Sequence, residues 1–269
     1  MRLSEARVVL TGASGGIGLA IAEALCASGS EVLAVSRHKE PLLPLLEQYP
    51  HLLRWIEADL TTEQGRQHVV TSARTLHGVN LLINAAGTNH FAMLEQLDES
   101  AINSMLAVNV HAPIRLTQLL LPLLNKASSA TVVNVGSTYG SIGYAGYATY
   151  CASKFALRGF SEALRRELAD TRISVLYVAP RATRTSMNSD AAQALNDALN
   201  ANVDDPRHVA RAVVHAIAGD RRELYLGWPE RFFIGLNSLL PGLVDRGLRK
   251  HLPLIRSLSH VPANEKTKP

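Results

Sequence analysis

The 269-residue chain reads as an α/β protein: a doubly wound, seven-stranded parallel sheet flanked by helices, in a single domain with a C-terminal helical extension. Three observations predict this. Short β-branched or aliphatic runs alternate with longer stretches of helical periodicity, the pattern of βαβ units. The first apolar run leads straight into a glycine-rich turn, Gly12-Ala13-Ser14-Gly15-Gly16-Ile17-Gly18, that opens a helical stretch. Hydrophobic residues make up 47% of the chain and charged residues 19%, enough apolar material for a core and too little charge for disorder.

The runs predict strands at 7–10, 31–36, 53–57, 81–84, 131–135, 173–178 and 223–226. Helical stretches are expected near 16–28, 40–48, 62–76, 98–124, 147–169 and 205–218. Asp98 marks the start of the fourth, and Asp205-Pro206 supplies a cap with proline in the first turn. Pro122 is expected to end the fourth helix early. Residues 1–227 form the expected main α/β domain, 228–261 an amphipathic helical extension and 262–269 a flexible tail.

The net charge of +4 is concentrated at the C-terminal end: residues 221–269 hold nine Lys/Arg against four Asp/Glu, leaving −1 for the rest. Those basic residues alternate with leucines and lack stacking aromatics, which argues against a nucleic-acid surface. Two cysteines, Cys26 and Cys151, provide no disulfide framework and accord with a reducing cytoplasm. No signal-peptide-like stretch and no run of about 18 apolar residues is present, so a soluble cytoplasmic protein is expected.

In the strand-to-helix setting, the Gly12-x-x-x-Gly16-x-Gly18 spacing is Rossmann-type: small residues let a pyrophosphate approach the backbone and the helix N-terminus attracts it. After the second strand, where a carboxylate would accept ribose hydroxyls, the chain reads Ser36-Arg37-His38. A guanidinium welcomes a 2′-phosphate that a carboxylate would repel, so NADP(H) is favoured over NAD(H). Asp59 and the run Asn84-Ala85-Ala86-Gly87 follow the third and fourth strands, at the sheet edge where such folds bind ligands.

Tyr150 and Lys154 are four residues apart in YCASK and therefore share a helix face; Ser137 follows the fifth strand. A phenol ordinarily titrates near 10 and needs a neighbouring cation to favour phenolate, which Lys154 supplies. Ser137 could hold a substrate carbonyl oxygen beside the phenol, with the hydride coming from a nicotinamide.

With TGASGGIG, Asp59-Leu60, NAAG, Asn109, Ser137, YxxxK and the loop after the sixth strand, residues 6 to 227 closely resemble the classical short-chain dehydrogenase/reductase family. The resemblance implies Tyr150 as general acid in reduction, Ser137 orienting the carbonyl and Lys154 holding the nicotinamide ribose while lowering the tyrosine pKa. Asn109 would anchor a water in a proton relay. It further implies that Gly12, Ser14, Gly15, Gly16, Ile17 and Gly18 cradle the pyrophosphate and that Asp59 and Leu60 meet the adenine. Asn84, Ala85 and Ala86 would border its ribose, and Pro180, Thr183 and Thr185 the nicotinamide. No metal is implied, and family habit is a homodimer or homotetramer joined through the 98–124 and 147–169 helices.

Two departures stand out. Ala85 replaces an asparagine of the family's NNAG element, and Arg181 follows Pro180 where the family usually has glycine. Arg181 could pair with an acidic substrate group or a phosphate or project into solvent, and solvent is slightly favoured.

Specificity is expected from the loops at 88–97, 138–147 and 186–203, whose His90, Phe91, Met93, Tyr139, Tyr144, Tyr147 and Met187 suit a largely apolar carbonyl or alcohol substrate. In the extension, Phe232, Leu236, Leu239, Leu240, Leu243 and Val244 recur at helical intervals and Arg246, Arg249 and Lys250 form a basic end; Pro241 and Pro253 divide it. A substrate lid or subunit interface is the preferred reading, with membrane-surface contact and ordinary intramolecular packing as less favoured ones. The chain thus reads as an NADP(H)-dependent ketoreductase. An NAD-linked alcohol dehydrogenase and a catalytically silent nucleotide sensor are the alternatives.

Overall fold

In the computed structural model, which describes residues 1–76 and 78–259, successive strand residues divide between two cores. The strands are β1 (Arg7–Thr11), β2 (Glu31–Ser36), β3 (Leu53–Glu57), β4 (Leu81–Asn84), β5 (Ala130–Val135), β6 (Ile173–Ala179) and β7 (Glu223–Tyr225). Val8 and Leu10 of β1 enter one core and Val9 the other, because neighbouring Cβ atoms of a strand face opposite ways. Helices cover both faces, so both kinds of position must be apolar, and the strands read as unbroken aliphatic runs. All seven expected strands form, in one wholly parallel sheet of order β3-β2-β1-β4-β5-β6-β7.

In chain order the helices are α1 (Gly16–Ala27), α2 (Leu43–Gln48), α3 (Glu63–Ala73), α4 (Glu99–Leu106), α5 (Ala112–Leu124), α6 (Ala148–Glu167), α7 (Asp190–Ala198), α8 (Pro206–Ala218), α9 (Trp228–Leu239), α10 (Pro241–Leu248) and α11 (Leu252–Ser259). On one face α1 and α8 press Ile21, Leu25, Val209 and Val213 against Val8, Leu10, Ile83 and Val133. On the other, α3, α5 and α6 bring Val69, Leu116, Leu120 and Leu164 onto Val9, Leu33, Leu82 and Val132. Strand order reverses between β1 and β4, and the loops after these two strands splay apart there, the position at which open α/β sheets take ligands.

Three expectations are corrected. The stretch 98–124 is not one helix: a π-helical turn over Ala107–His111 separates α4 from α5, where the Asn109 side chain turns inward to bond Thr88 and Ser153. Pro122 does not end α5, which runs on to Leu124: the proline lacks one N–H donor, but the turn after it still closes, with the Asn125 N–H donating to the Leu121 carbonyl at 2.9 Å. The supposed loop 186–203 contains α7, capped by Ser189, whose hydroxyl accepts the Ala192 N–H at 3.2 Å, and anchored by buried Leu195. Asp98 and Asp205 cap α4 and α8 as expected. The extension forms α9, α10 and α11, with prolines in their first turns. Residues 260–269, which include the expected tail, lie outside the described residues.

Candidate active site

A cleft of about 1030 Å³ runs along the carboxyl ends of the strands, from Arg37 at one end to His251 at the other. Its floor is set by backbone contact. Gly12 adopts φ 66°, and a Cβ there would lie 2.7 Å from the Ala86 backbone; a Cβ on Gly18 would lie 2.1 Å from the Gly12 carbonyl oxygen. Only glycines let the turn close this tightly. Thr11 fixes the facing loop: its hydroxyl accepts the N–H groups of Ala85 (3.1 Å) and Ala86 (3.2 Å) and donates to the Ile83 carbonyl at 3.3 Å. α1 begins after Gly15, which offers no side-chain cap, so its first N–H groups stand at the cleft wall as an anion-attracting end.

At the far end Arg37 is exposed and, among the described residues, enters no ion pair. Across from it, hydrogen bonds from the Thr61 hydroxyl and N–H hold the Asp59 carboxyl below its usual range, with the charges of Arg37 and Arg66 adding to the effect. Ser36 also lines the cleft. Its hydroxyl donates to the His38 carbonyl at 2.7 Å and accepts from Trp55 Nε1 at 2.9 Å, so it is committed to the fold.

Ser137 leaves β5 in extended conformation, and its Oγ accepts the Tyr139 N–H at 3.1 Å. Tyr177 supports it from below. The Tyr177 hydroxyl donates to the Ser137 carbonyl at 3.2 Å, and a Cβ on Gly136 or Gly140 would come within 2.3 or 2.4 Å of that same hydroxyl oxygen. Tyr150, in the first turn of α6, lines the same wall of the cleft as Ser137. One turn further on, Lys154 is buried, donates from Nζ to the Val135 carbonyl at 3.2 Å, and holds Nζ 5.6 Å from the centre of the Tyr150 ring.

The electrostatics correct one expectation. Burial pushes Tyr150 up to about 12, against the lowering effect of the Ser137 side chain, so the phenol is protonated at neutral pH. Burial also brings Lys154 down to about 8. At neutral pH the pair is therefore a protonated phenol beside an ammonium that titrates within reach.

Of the residues expected at this site, Gly12, Ser14, Gly15, Gly16, Ile17, Gly18, Ser36, Arg37, Asp59, Leu60, Ala85, Ala86, Ser137, Tyr150, Lys154, Pro180, Thr183 and Thr185 all line the one cleft. Two do not. Asn84 is buried beneath it, donating to Thr117 Oγ1 at 3.1 Å and Asn134 Oδ1 at 2.9 Å. The Asn109 side chain fixes the loop after β4, donating to Thr88 O and Ser153 Oγ and accepting the Thr88 N–H at 2.9 Å. Both asparagines brace the cleft from behind instead of facing it.

Arg181 does not project into solvent. Its Nε and Nη2 grip the two carboxylate oxygens of Asp204 at 3.0 and 2.8 Å, and Nη1 reaches Glu230 of α9 at 3.5 Å. The planar guanidinium fork matches a carboxylate that is itself only 9% exposed. The loop carrying Thr183 and Thr185 is thereby tied to α9.

On the opposite side, Tyr139 stacks on Tyr144 and contacts Tyr147, while Phe91 packs on Tyr147 at 5.1 Å between ring centres. Leu195 of α7, Leu199 just beyond its end and Ile255 of α11 close this aromatic cluster. The His251 ring shares a 3.0 Å hydrogen bond with the Tyr144 hydroxyl through Nδ1. Leu195, Leu199, Asn196, Phe233 and His251, all at the cleft, were not among the sequence-based candidates. Ser189 followed by Ala192, Leu195 and Leu199 at helical spacing was the signal for the first of them; His251 carried none.

The short chain dehydrogenase model matches residues 6–196. The oxidoreductase YxnA of Bacillus subtilis is 28% identical over 93% of this chain and 73% of its own length. The 3-oxoacyl-(acyl-carrier-protein) reductase FabG of Salmonella typhimurium is 30% identical over 74% of this chain and 81% of its own. Among solved structures, a short-chain dehydrogenase from Streptomyces avermitilis superposes with a TM-score of 0.79 at 30% identity, covering 94% of this chain and 99% of that one. One from Burkholderia cenocepacia, in complex with NADP, gives 0.80 at 25% identity over 92% and 99%. The chain belongs to the short-chain dehydrogenase family. It is an oxidoreductase of that family, which takes a nicotinamide cofactor and acts on small molecules.

Proposed function

We propose that the protein is an NADP(H)-dependent reductase of a largely apolar ketone or 3-oxoacyl compound, with Tyr150 as the proton donor. The observation that carries this reading is the placement of Ser137, Tyr150 and Lys154 together on one wall of the same cleft whose other end presents the glycine turn and Arg37.

The chain's residues fit the cofactor. The uncapped start of α1 and the Gly12–Gly18 turn would hold the pyrophosphate, Arg37 the 2′-phosphate, Asp59 and Leu60 the adenine end and Ala85–Ala86 its ribose. Lys154 and Tyr150 would meet the nicotinamide ribose, and Pro180, Thr183 and Thr185 the nicotinamide. When bound, the reduced cofactor supplies a hydride to the carbonyl carbon.

The remaining work falls to side chains. Ser137 Oγ and Tyr150 Oη would both point hydrogen bonds at the carbonyl oxygen, stabilising the negative charge that develops there. Tyr150 then gives its proton to that oxygen. A phenol raised to about 12 is held in the protonated form that donation requires. The Lys154 ammonium stabilises the phenolate left behind, and its burial strengthens that interaction. The aromatic cluster with Met187, Leu195 and Leu199 supports an apolar substrate arm, in keeping with the FabG relative's name. Exposed Leu106 and Phe155, at 39% and 42%, support a homo-oligomer joined through α4 and α6.

The test is NADPH oxidation, followed by absorbance, with a panel of apolar ketones and 3-oxoacyl thioesters, and NADH in parallel. Turnover with NADPH is expected, reduced about 10²- to 10⁴-fold in Tyr150→Phe. Unaltered turnover in that variant removes the proton-donor assignment. Equal affinity for NADH and NADPH, or unchanged preference in Arg37→Asp, removes the phosphate argument.

A further inference from the structure

Eleven large hydrophobic side chains are exposed among the described residues, and six of them lie between Trp228 and Leu243. Leu239 is 81% and Trp228 76% exposed. Trp228, Phe232 and Leu239 recur at i, i+4 and i+11 of α9, which puts them within ~40° of one another around the helix. Leu240 and Leu243 continue the ridge around the corner into α10.

The ridge is a fixed feature, because the other side of α9 is anchored. Ile234 is buried, Asn237 Nδ2 donates to the Ser141 carbonyl at 3.1 Å, and Glu230 reaches Arg181. Buried Val244 pins α10 in the same way. No described element covers Trp228, Phe232, Leu239, Leu240 or Leu243, and water is a poor environment for so continuous an apolar surface.

Charge selects the occupant. Residues 228–256 carry five Lys/Arg (Arg231, Arg246, Arg249, Lys250, Arg256) against Glu230 and Asp245. Glu230 is already turned inward to Arg181, which leaves the exposed surface beside the ridge strongly basic. A second copy seated on this ridge would bring two such basic sets together. Anionic headgroups would neutralise one. Apolar and aromatic side chains bordered by Lys and Arg are what a helix lying in a bilayer interface presents.

We propose that the α9–α10 corner docks on anionic phospholipid bilayers, with Trp228, Phe232, Leu239, Leu240 and Leu243 in the interface and Arg246, Arg249 and Lys250 among the headgroups. Phe233, on the flank of α9, lines the mouth of the cleft, so the docked protein holds that mouth near the membrane. An apolar substrate dissolved in the bilayer then has a short path to the site.

The experiment uses the full chain with sedimented vesicles of phosphatidylcholine and phosphatidylglycerol at 3:1, against phosphatidylcholine alone. At least tenfold stronger partitioning to the anionic vesicles is expected, with a blue shift of tryptophan emission that Trp228→Phe abolishes. The double variants Phe232→Ser/Leu239→Ser and Arg246→Gln/Lys250→Gln should each weaken partitioning at least fivefold, with unchanged circular dichroism and unchanged NADPH-dependent turnover of a water-soluble ketone. Absence of partitioning, or partitioning unaffected by both double variants, overturns the proposal. Self-association by light scattering that Phe232→Ser/Leu239→Ser removes, without vesicle binding, also overturns it and assigns the ridge to a second copy.

Discussion

Arg181 and Asp204 form a two-pronged ion pair, 2.8 and 3.0 Å across its two hydrogen bonds, that closes the cofactor-side loop onto the segment leading into α8. The Thr183–Asp204 backbone bridge runs beside it. Removing the cation leaves a nearly buried carboxylate without its partner. Arg181→Gly, which restores the residue usual in the family, is therefore expected to destabilise the protein by about 2 kcal/mol and lower Tm by roughly 5 °C. Arg181→Lys should recover only part of this, because an ammonium cannot grip both oxygens. Asp204→Asn in the glycine background should recover more. Thermal unfolding of the four proteins measures it.

Lys154 should reduce the stability of the fold at neutral pH. Its ammonium is buried against a carbonyl oxygen, and moving the group from 10.5 to about 8 corresponds to about 3 kcal/mol. Below pH 8 the amine is charged in both folded and unfolded chains, so the full penalty applies. Between pH 8 and 10.5 the folded chain has already released its proton and the penalty fades; above 10.5 it is gone. Lys154→Met is thus expected to be more stable than the parent at pH 7, by about 2 kcal/mol after loss of the Val135 hydrogen bond, with a gain that shrinks steadily toward pH 10.5. Urea midpoints of both proteins across that range read the difference directly. A gain that is independent of pH would show that packing, not charge, sets it.

The sheet and most of the cleft were legible because their signals are local. A parallel strand buried on both faces must be apolar throughout, so the runs around Val8–Leu10 and Val132–Val135 declare themselves, and a glycine that must meet another backbone, such as Gly18, tolerates no other residue. What could not be read were relations between distant segments. Arg181 looks like a surface cation until Asp204 and Glu230 are brought to it. Asn84 and Asn109 look like ligand contacts until their side chains are seen facing Asn134, Thr117, Thr88 and Ser153. The direction of the Tyr150 shift was hidden for the same reason: YxxxK spacing places the ammonium near the ring, but the burial that raises the phenol is set by the whole fold.

The same two residues predict the pH dependence of reduction. In the free enzyme Lys154 loses its charge near pH 8, whereas Tyr150 stays protonated to about 12. kcat/KM for NADPH-dependent reduction, which reports free-enzyme ionisations, should fall on the alkaline side with an apparent pKa near 8 and show no limb from the phenol below 11. Lys154→Arg, which keeps its charge, should move that limb above pH 10 even if overall activity drops. A limb that stays near 8 in this variant would assign it to another group.

The support beneath Ser137 offers the sharpest steric prediction. Tyr177 fills the space that a side chain on Gly136 would need: its hydroxyl oxygen would lie 2.3 Å and a ring carbon 2.4 Å from the added Cβ. Neither the ring, buried at 1% exposure, nor the β5 backbone has room to retreat. Gly136→Ala should therefore destabilise the protein by about 2 kcal/mol or more and displace Ser137 from Tyr150, lowering kcat well beyond the effect of instability alone. Tyr177→Phe removes the 3.2 Å hydrogen bond to the Ser137 carbonyl but keeps the packing, so it should cost about 1 kcal/mol and reduce kcat only several-fold. Tyr177→Phe added to Gly136→Ala should not restore activity, because the ring carbon still blocks the Cβ. Tyr177→Leu, which removes the ring, should restore part of it. Turnover measured at a temperature where all four variants are folded decides between steric displacement of Ser137 and simple loss of stability.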